Sequence, residues 1–238
     1  MLRAVGLALC LAALPAAANE AQIRQAIEAK LEGVRIEGIV PAPVAGLWEV
    51  RYRTSRGVRV LYTDAAGKFV INGNIHELRT ERDLTAERLE QLNAIRFASL
   101  PLDQAVKIQR GNGKRVLAMF SDPYCPACKQ FEQTLQQVDD ITVYVFMYPV
   151  IRPELAQHSE AVWCSPDRAK AWLDLALRGK PPAATPGCQT PIDKNVELGQ
   201  GLGVNSTPTL VFRNDRRVAG GLKLPDLQQL LERTAAAR

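Results

Sequence analysis

The sequence predicts an α/β protein in two parts: a small mixed domain of one helix and several short strands, then a larger sheet covered by helices. Three observations carry this reading. Apolar residues recur every fourth position at Ile23, Ile27 and Leu31, and then give way to short strand-like runs as far as residue 71. From Gln104 onward strands and helices alternate, the order of a sheet packed on both faces. Between them a helical pattern over residues 80–100 reads as a connector.

The 238-residue chain opens "MLRAVGLALCLAALPAAANE": one cation at Arg3, an apolar run from Ala4 to Leu14, Pro15 as a breaker, then small residues at Ala16–Ala18. This is the pattern of a secretory leader, residues 1–18, cut after Ala18. The run is shorter than the roughly 18 residues a bilayer crossing needs. Cys10 follows Leu9 rather than a small residue and leaves with the leader. The net charge of +5 becomes +4 without Arg3. Its basic residues are scattered, with Arg51, Arg53, Arg56 and Arg59 spaced like the wet side of a strand pair, so no nucleic-acid partner is expected. Four cysteines remain for an oxidising compartment: Cys125, Cys128, Cys164 and Cys188.

In the first domain, residues 19–79, a short helix over 21–31 precedes strands at 34–40, 47–53, 58–62 and 69–71, with "TDAAGK" turning between the last two. A piece of about 60 residues buries too little of its surface to stand alone and is a natural oligomerisation module. Thr85 is expected to cap the connecting helix, with Glu87 in its first turn and Leu89, Leu92 and Ile95 along one side. The second domain, residues 101–238, reads as strand 105–109, turn "RGNGK", strand 115–120, the cysteine pair, helix to about 138 and strand 141–147. A proline-punctuated helical insertion spans about 153–200. "STPTLVF" is then a strand, "RNDRR" a turn, "RVAGG" a strand and 225–234 a closing helix.

A strand running into Cys-x-x-Cys and then a helix sets the first sulfur at the helix N-terminus, where unpaired N–H groups and the dipole favour a thiolate. Pro126 suits the first helical position. Cys125 is then the exposed nucleophile, and Cys128, one turn further in, can attack the mixed disulfide that Cys125 forms. Zinc is the competing use, but zinc ribbons want a second close pair, and here the other two cysteines are 24 residues apart with no histidine pair nearby; no metal is expected. A purely structural Cys125–Cys128 bridge would constrain the unfolded chain little. Cys164 and Cys188 sit in apolar, proline-rich surroundings with nothing to activate them. Closing that loop removes chain entropy worth roughly 3.5 kcal/mol, so a permanent bridge is expected there. Of the three possible pairings it alone leaves Cys125 and Cys128 free to cycle. A proline entering a strand in "NSTPTL" cannot join a central ladder; with the cysteine pair about 80 residues earlier, a cis Thr207–Pro208 beside the sulfurs is expected.

Asp122 reads as a polar turn residue and Lys129 as a solvated helix residue. His76 and His158 look isolated, and Trp48, Trp163 and Trp172 look like packing residues.

"MFSDPYCPACKQF", "EAVWCSPDRAKAWLDLALRGK", "LGVNSTPTLVF" and the "RVAGG" strand resemble the thioredoxin-fold domain of the periplasmic disulfide isomerases of the DsbC and DsbG group; "LYTDAAGKFVINGNIHEL" resembles the end of that group's N-terminal domain. The resemblance covers essentially the whole chain after the leader. It implies a thioredoxin fold with a helical insertion behind a dimerisation domain, and a V-shaped homodimer with two active sites facing an apolar cleft for misfolded, disulfide-containing periplasmic proteins. It implies a membrane thiol reductant of the DsbD type and no cofactor. Carried over, Cys125 is the attacking thiol, Cys128 its partner, Thr207 and Pro208 the loop that pairs with the client's backbone, and Cys164–Cys188 the structural bridge of the insertion. Pro126–Ala127 departs from the Gly-Tyr of the best-known isomerase, and proline there recurs in DsbG and in the oxidase DsbA. Three activities therefore stay open: an isomerase kept reduced, a thiol oxidase kept oxidised, and a holdase whose cysteines are secondary.

Overall fold

The computed structural model describes residues 14–31, 34–54 and 57–236. The first thirteen residues of the expected leader, with Cys10, lie outside them. The chain divides into two compact units, one holding the residues up to Thr54 with Val58–Leu89, the other running from Glu90 onward.

In the first unit, α1 (Leu14–Glu28) starts well before the expected position. Pro15 does not break it. Proline is tolerated in a first turn, where its missing N–H has no intrahelical partner to lose. Four strands follow, β1 (Arg35–Pro41), β2 (Leu47–Thr54), β3 (Gly57–Asp64) and β4 (Val70–Ile71), lying side by side in that order. Ile23 and Ile27 of α1 pack on Ile36, Ile39, Val50 and Leu61 of the sheet, so the four-residue spacing becomes one buried stripe. In the turn before β4, Asp64 accepts hydrogen bonds from the backbone N–H groups of Ala66, Lys68 and Phe69, which holds its carboxyl below the usual range. Two further short strands, β5 (His76–Glu77) and β6 (Arg82–Asp83), pair antiparallel; two-residue strands have no periodicity to read. Arg53 pairs with Glu37 on the wet side, whereas Arg51 reaches Glu49, a buried carboxylate that also binds Arg88 at 3.1 Å.

The connecting helix is shorter than residues 80–100. It is α2 (Leu84–Leu92), followed by single 3₁₀ turns at Phe97–Ser99 and Leu102–Gln104. Thr85 is not its cap. Asp83 accepts from the Ala86 N–H at 2.9 Å, while Thr85 is buried, its hydroxyl bonded to Tyr62 Oη at 2.6 Å and accepting from the Ile75 N–H at 2.9 Å. A threonine that satisfies two buried partners has no hydroxyl left for the helix end.

The second unit is a five-stranded sheet, β7 (Val106–Arg110), β8 (Arg115–Ser121), β9 (Ile141–Met147), β10 (Thr209–Phe212) and β11 (Arg217–Ala219), in the order β11-β10-β8-β9-β7. β8 and β9 are parallel, with α3 (Pro126–Leu135) crossing between them; β10 on β8, β11 on β10 and β7 on β9 are antiparallel. Both faces are covered, and alternation along each strand decides which residue goes where. Leu117 and Met119 of β8, Val143 and Val145 of β9, and Leu210 and Phe212 of β10 join Phe131 and Leu135 of α3, with Trp172 and Leu175 of α5 (Arg168–Arg178) and Leu227 and Leu231 of α7 (Leu224–Ala236). Ala118, Phe120, Phe146 and Val211 point the other way, onto Ile95, Phe97, Leu100 and Val204. Phe120 and Phe146 stack with centroids 5.0 Å apart. The insertion holds α4 (Ala156–Trp163), α5 and α6 (Ile192–Gly201). Among the described residues, no helix is long and apolar enough to cross a membrane.

Candidate active site

Strand β8 delivers the chain to the site and α3 leaves from it. Cys125 is the N-cap, in an extended conformation, and Pro126 stands at the first helical position; Lys129 N–H donates to Cys125 O at 3.0 Å, closing the first turn. No side chain caps this helix end, so its free N–H groups and the positive end of its dipole face the Cys125 sulfur.

The peptide bond between Thr207 and Pro208 is cis, and the loop lies against the pair: Cys125 Sγ donates to Thr207 O at 3.3 Å. Gly220 N–H donates to Pro208 O at 2.7 Å, tying this loop to the end of β11. Because Thr207 lies over the sulfur, Cys125 is only 7 % exposed. The sulfur expected to be exposed is mostly covered.

Cys128, one turn on, is 2 % exposed. Burial pushes its thiol up to about 12, and negative charge on Cys125 adds to the rise, while the neighbouring Ser121 hydroxyl, Asp122 N–H and Thr207 hydroxyl act against it. The Ser121 and Thr207 hydroxyls are buried and have no hydrogen-bond partner among the described residues. The two sulfurs therefore differ in kind, one at a charged helix end and one in the interior. Both are free thiols.

Cys164 and Cys188 are joined, with Cα atoms 6.0 Å apart, and their bridge ties the end of α4 to the segment before α6. Beside it the Arg168 guanidinium lies 3.7 Å over the Trp163 ring.

Three features of the site were not read from the sequence. Asp122 is no ordinary turn residue: it is fully buried and accepts three backbone hydrogen bonds, one from the cysteine turn and two from the segment after β9. His158 is not isolated; its Nδ1 bonds the hydroxyl of Tyr124, the residue before Cys125, and only the fold brings α4 to that turn. Glu132 is 1 % exposed, accepts from Trp172 Nε1–H at 2.6 Å, and is raised by burial to about 7, against the pull of that bond and of Arg110. The signal for Glu132 was present, since it falls on the same side of α3 as Cys128, Phe131 and Leu135. His76, by contrast, is exposed, 3.8 Å from Asp83, and Lys129 is a surface residue of α3.

Residues 102–235 match the family described as Thioredoxin-like domain, and residues 14–86 match the family described as Disulfide bond isomerase protein N-terminal domain. A Bordetella pertussis protein, "Probable thiol:disulfide interchange protein DsbC", is 39 % identical over 210 residues, covering 88 % of this chain and 73 % of its own length. The chain belongs to the DsbC family. DsbC of Haemophilus influenzae is 31 % identical over 238 residues, covering 95 % of this chain and 96 % of its own. A crystal structure of a disulfide interchange protein from Neisseria gonorrhoeae is 42 % identical and superposes with a TM-score of 0.54 over 57 % of this chain and 99 % of that one. As a DsbC-type protein the chain is a thiol–disulfide oxidoreductase with a thioredoxin-like domain behind the family's N-terminal domain.

Proposed function

We propose that this oxidoreductase is a periplasmic disulfide isomerase that works as a homodimer on secreted proteins with wrongly paired cysteines, using Cys125 as nucleophile and Cys128 as a slow release group. The observation that carries this reading is the inequality of the two sulfurs. The Cys125 thiolate attacks one sulfur of a client disulfide; a new S–S bond joins Cys125 to the client, and the other client sulfur leaves as a thiolate. That thiolate can open a second client disulfide, and a later client thiolate attacks the mixed disulfide and expels Cys125 unchanged. No net oxidation occurs. If the client does not rearrange, Cys128 gives up its proton, attacks Cys125 and releases the client thiol, leaving Cys125–Cys128 oxidised. With its thiol near 12, Cys128 is almost wholly protonated at neutral pH, which slows escape and gives the client time to reshuffle.

Resetting the escaped enzyme needs two electrons, and a membrane thiol reductant of the DsbD type is the donor this scheme calls for. The leader pattern of residues 1–18 supports export. Residues 14–86 support the dimer, since β4 is a short edge strand with exposed Phe69, Val70 and Ile71 around it. Thiol trapping of the pair in cells tests the direction of flow: a mostly reduced pair is expected. A mostly oxidised one would make the protein a thiol oxidase, in keeping with Pro126. Full chaperone activity in a Cys125→Ser, Cys128→Ser variant, with no loss of client rescue, would favour the holdase instead.

A further inference from the structure

The segment after β9 runs beside the cysteine turn, and one carboxylate joins the two. Asp122 Oδ1 accepts from the Tyr124 N–H at 2.8 Å, and Oδ2 accepts from the Val150 and Ile151 N–H groups at 2.7 Å each. Val150 and Ile151 thus lie one carboxylate's width from the residue that precedes the nucleophile. Tyr124 is held from its other end by His158. With both amides bonded to Asp122, this segment cannot use those N–H groups to pair with an incoming strand, so what it offers there is side chains.

Those side chains face solvent. Val150 is 36 % and Ile151 52 % exposed, and among the described residues from Glu90 onward they are the large apolar side chains left in the open. Both are β-branched, hence stiff, and they stand on backbone fixed at both amides, so little freedom is lost when something covers them. The thiol that carries the interchange activity is contiguous with them through Asp122 and Tyr124. The chemistry of a client matches: cysteines are among the most buried residues of folded proteins, so their neighbours in the chain are commonly apolar, and a wrong disulfide leaves them exposed.

We propose that Val150 and Ile151 form a subsite for an apolar side chain beside the client's half-cystine. The Thr207–Pro208 loop reads the client's backbone, and this pair reads a side chain. The subsite rests on the reading that the client is a polypeptide, but not on the direction of electron flow.

The test compares two peptides, identical except for Leu or Ser next to a single cysteine held as a mixed disulfide with glutathione, turned over by the full-length protein with excess reduced glutathione to return the Cys125–Cys128 pair to its dithiol after each cycle. The wild type is expected to prefer the Leu peptide by roughly five- to tenfold, the scale of covering two half-open aliphatic side chains, and to do so through KM. In Val150→Ser, Ile151→Ser the preference should fall below about twofold with kcat nearly unchanged, as expected when uniform binding is removed. An unaltered preference in the double variant, no preference in the wild type, or an equal fall in kcat for both peptides would each overturn the subsite. A preserved preference in a protein that fails to reshuffle a scrambled client would leave the subsite standing and refute the isomerase reading.

Discussion

Cys125 and Cys128 are three residues apart, yet one sulfur faces a helix N-terminus and the other lies inside the packing. Differential alkylation reads that difference directly. At mildly acidic pH Cys125 should react with iodoacetamide at least tenfold faster than Cys128, whose thiol stays protonated far above neutrality. Equal rates in the native reduced protein would refute the assignment of roles. Glu132 sets a second expectation. Its carboxyl is raised by burial from the ordinary 4.5 to about 7 in the folded chain, so between those values the native state holds a proton that the unfolded state has lost. Stability therefore falls as pH rises from 4.5 to 7, by an amount on the order of 3 kcal/mol, and stays low above 7. Glu132→Gln keeps an acceptor for Trp172 and should flatten this part of the profile, leaving the variant more stable than wild type at pH 8. Urea titrations at pH 5 and pH 8 check it; parallel shifts in both proteins would show that Glu132 does not titrate in this range.

At the scale of elements, α3 and the insertion divide the work. Helix α3 has to end against the cysteine turn without a side-chain cap, because a cap would occupy the N–H groups that face the Cys125 sulfur. The insertion braces the surroundings. Trp172 of α5 fills the core below α3, His158 of α4 steadies Tyr124, and the Cys164–Cys188 bridge closes a 24-residue separation within the insertion. Replacing both of those cysteines by alanine should lower stability by about 2–4 kcal/mol while Cys125 still exchanges with glutathione. Denaturant unfolding and a glutathione exchange assay, run together, separate the two effects; lost exchange in a folded variant would make the bridge part of the chemistry.

At the scale of the whole molecule, redox poise and assembly decide what the site accomplishes. With Pro126 between the cysteines the pair should be more oxidising than thioredoxin, at about −270 mV, and because Ala127 supplies no imidazole to bind a Cys125 thiolate it should be less oxidising than DsbA, at about −120 mV. A glutathione titration that puts it at or below thioredoxin would mark a reductant. The first unit should hold two copies together through the β4 edge. Sedimentation at micromolar concentration should find a dimer, and Val70→Asp, which sets a charge on that exposed edge, should shift it to monomer and remove most reshuffling of a multi-disulfide client while glutathione exchange persists. A wild-type monomer, or a monomeric variant that reshuffles as well as wild type, would remove the dimer from the mechanism.

What the sequence determined by itself is whatever depends on neighbours along the chain. The stripe of Ile23 and Ile27, the alternation along β8 and β9, and Pro126 following Cys125 were legible because helix and strand periods and terminal N–H groups are local properties. Local reasoning erred at Thr85, whose hydroxyl has better distant partners in Tyr62 and Ile75, and at Pro15, which falls in the first turn of α1, where a proline is tolerated. The tertiary structure alone decided how covered Cys125 is, how deeply Cys128 is buried, and that Asp122 joins the cysteine turn to Val150 and Ile151. Each of those depends on segments about 28 to 82 residues apart meeting at the end of one sheet, and a buried polar atom takes its partner from whatever packing places within reach.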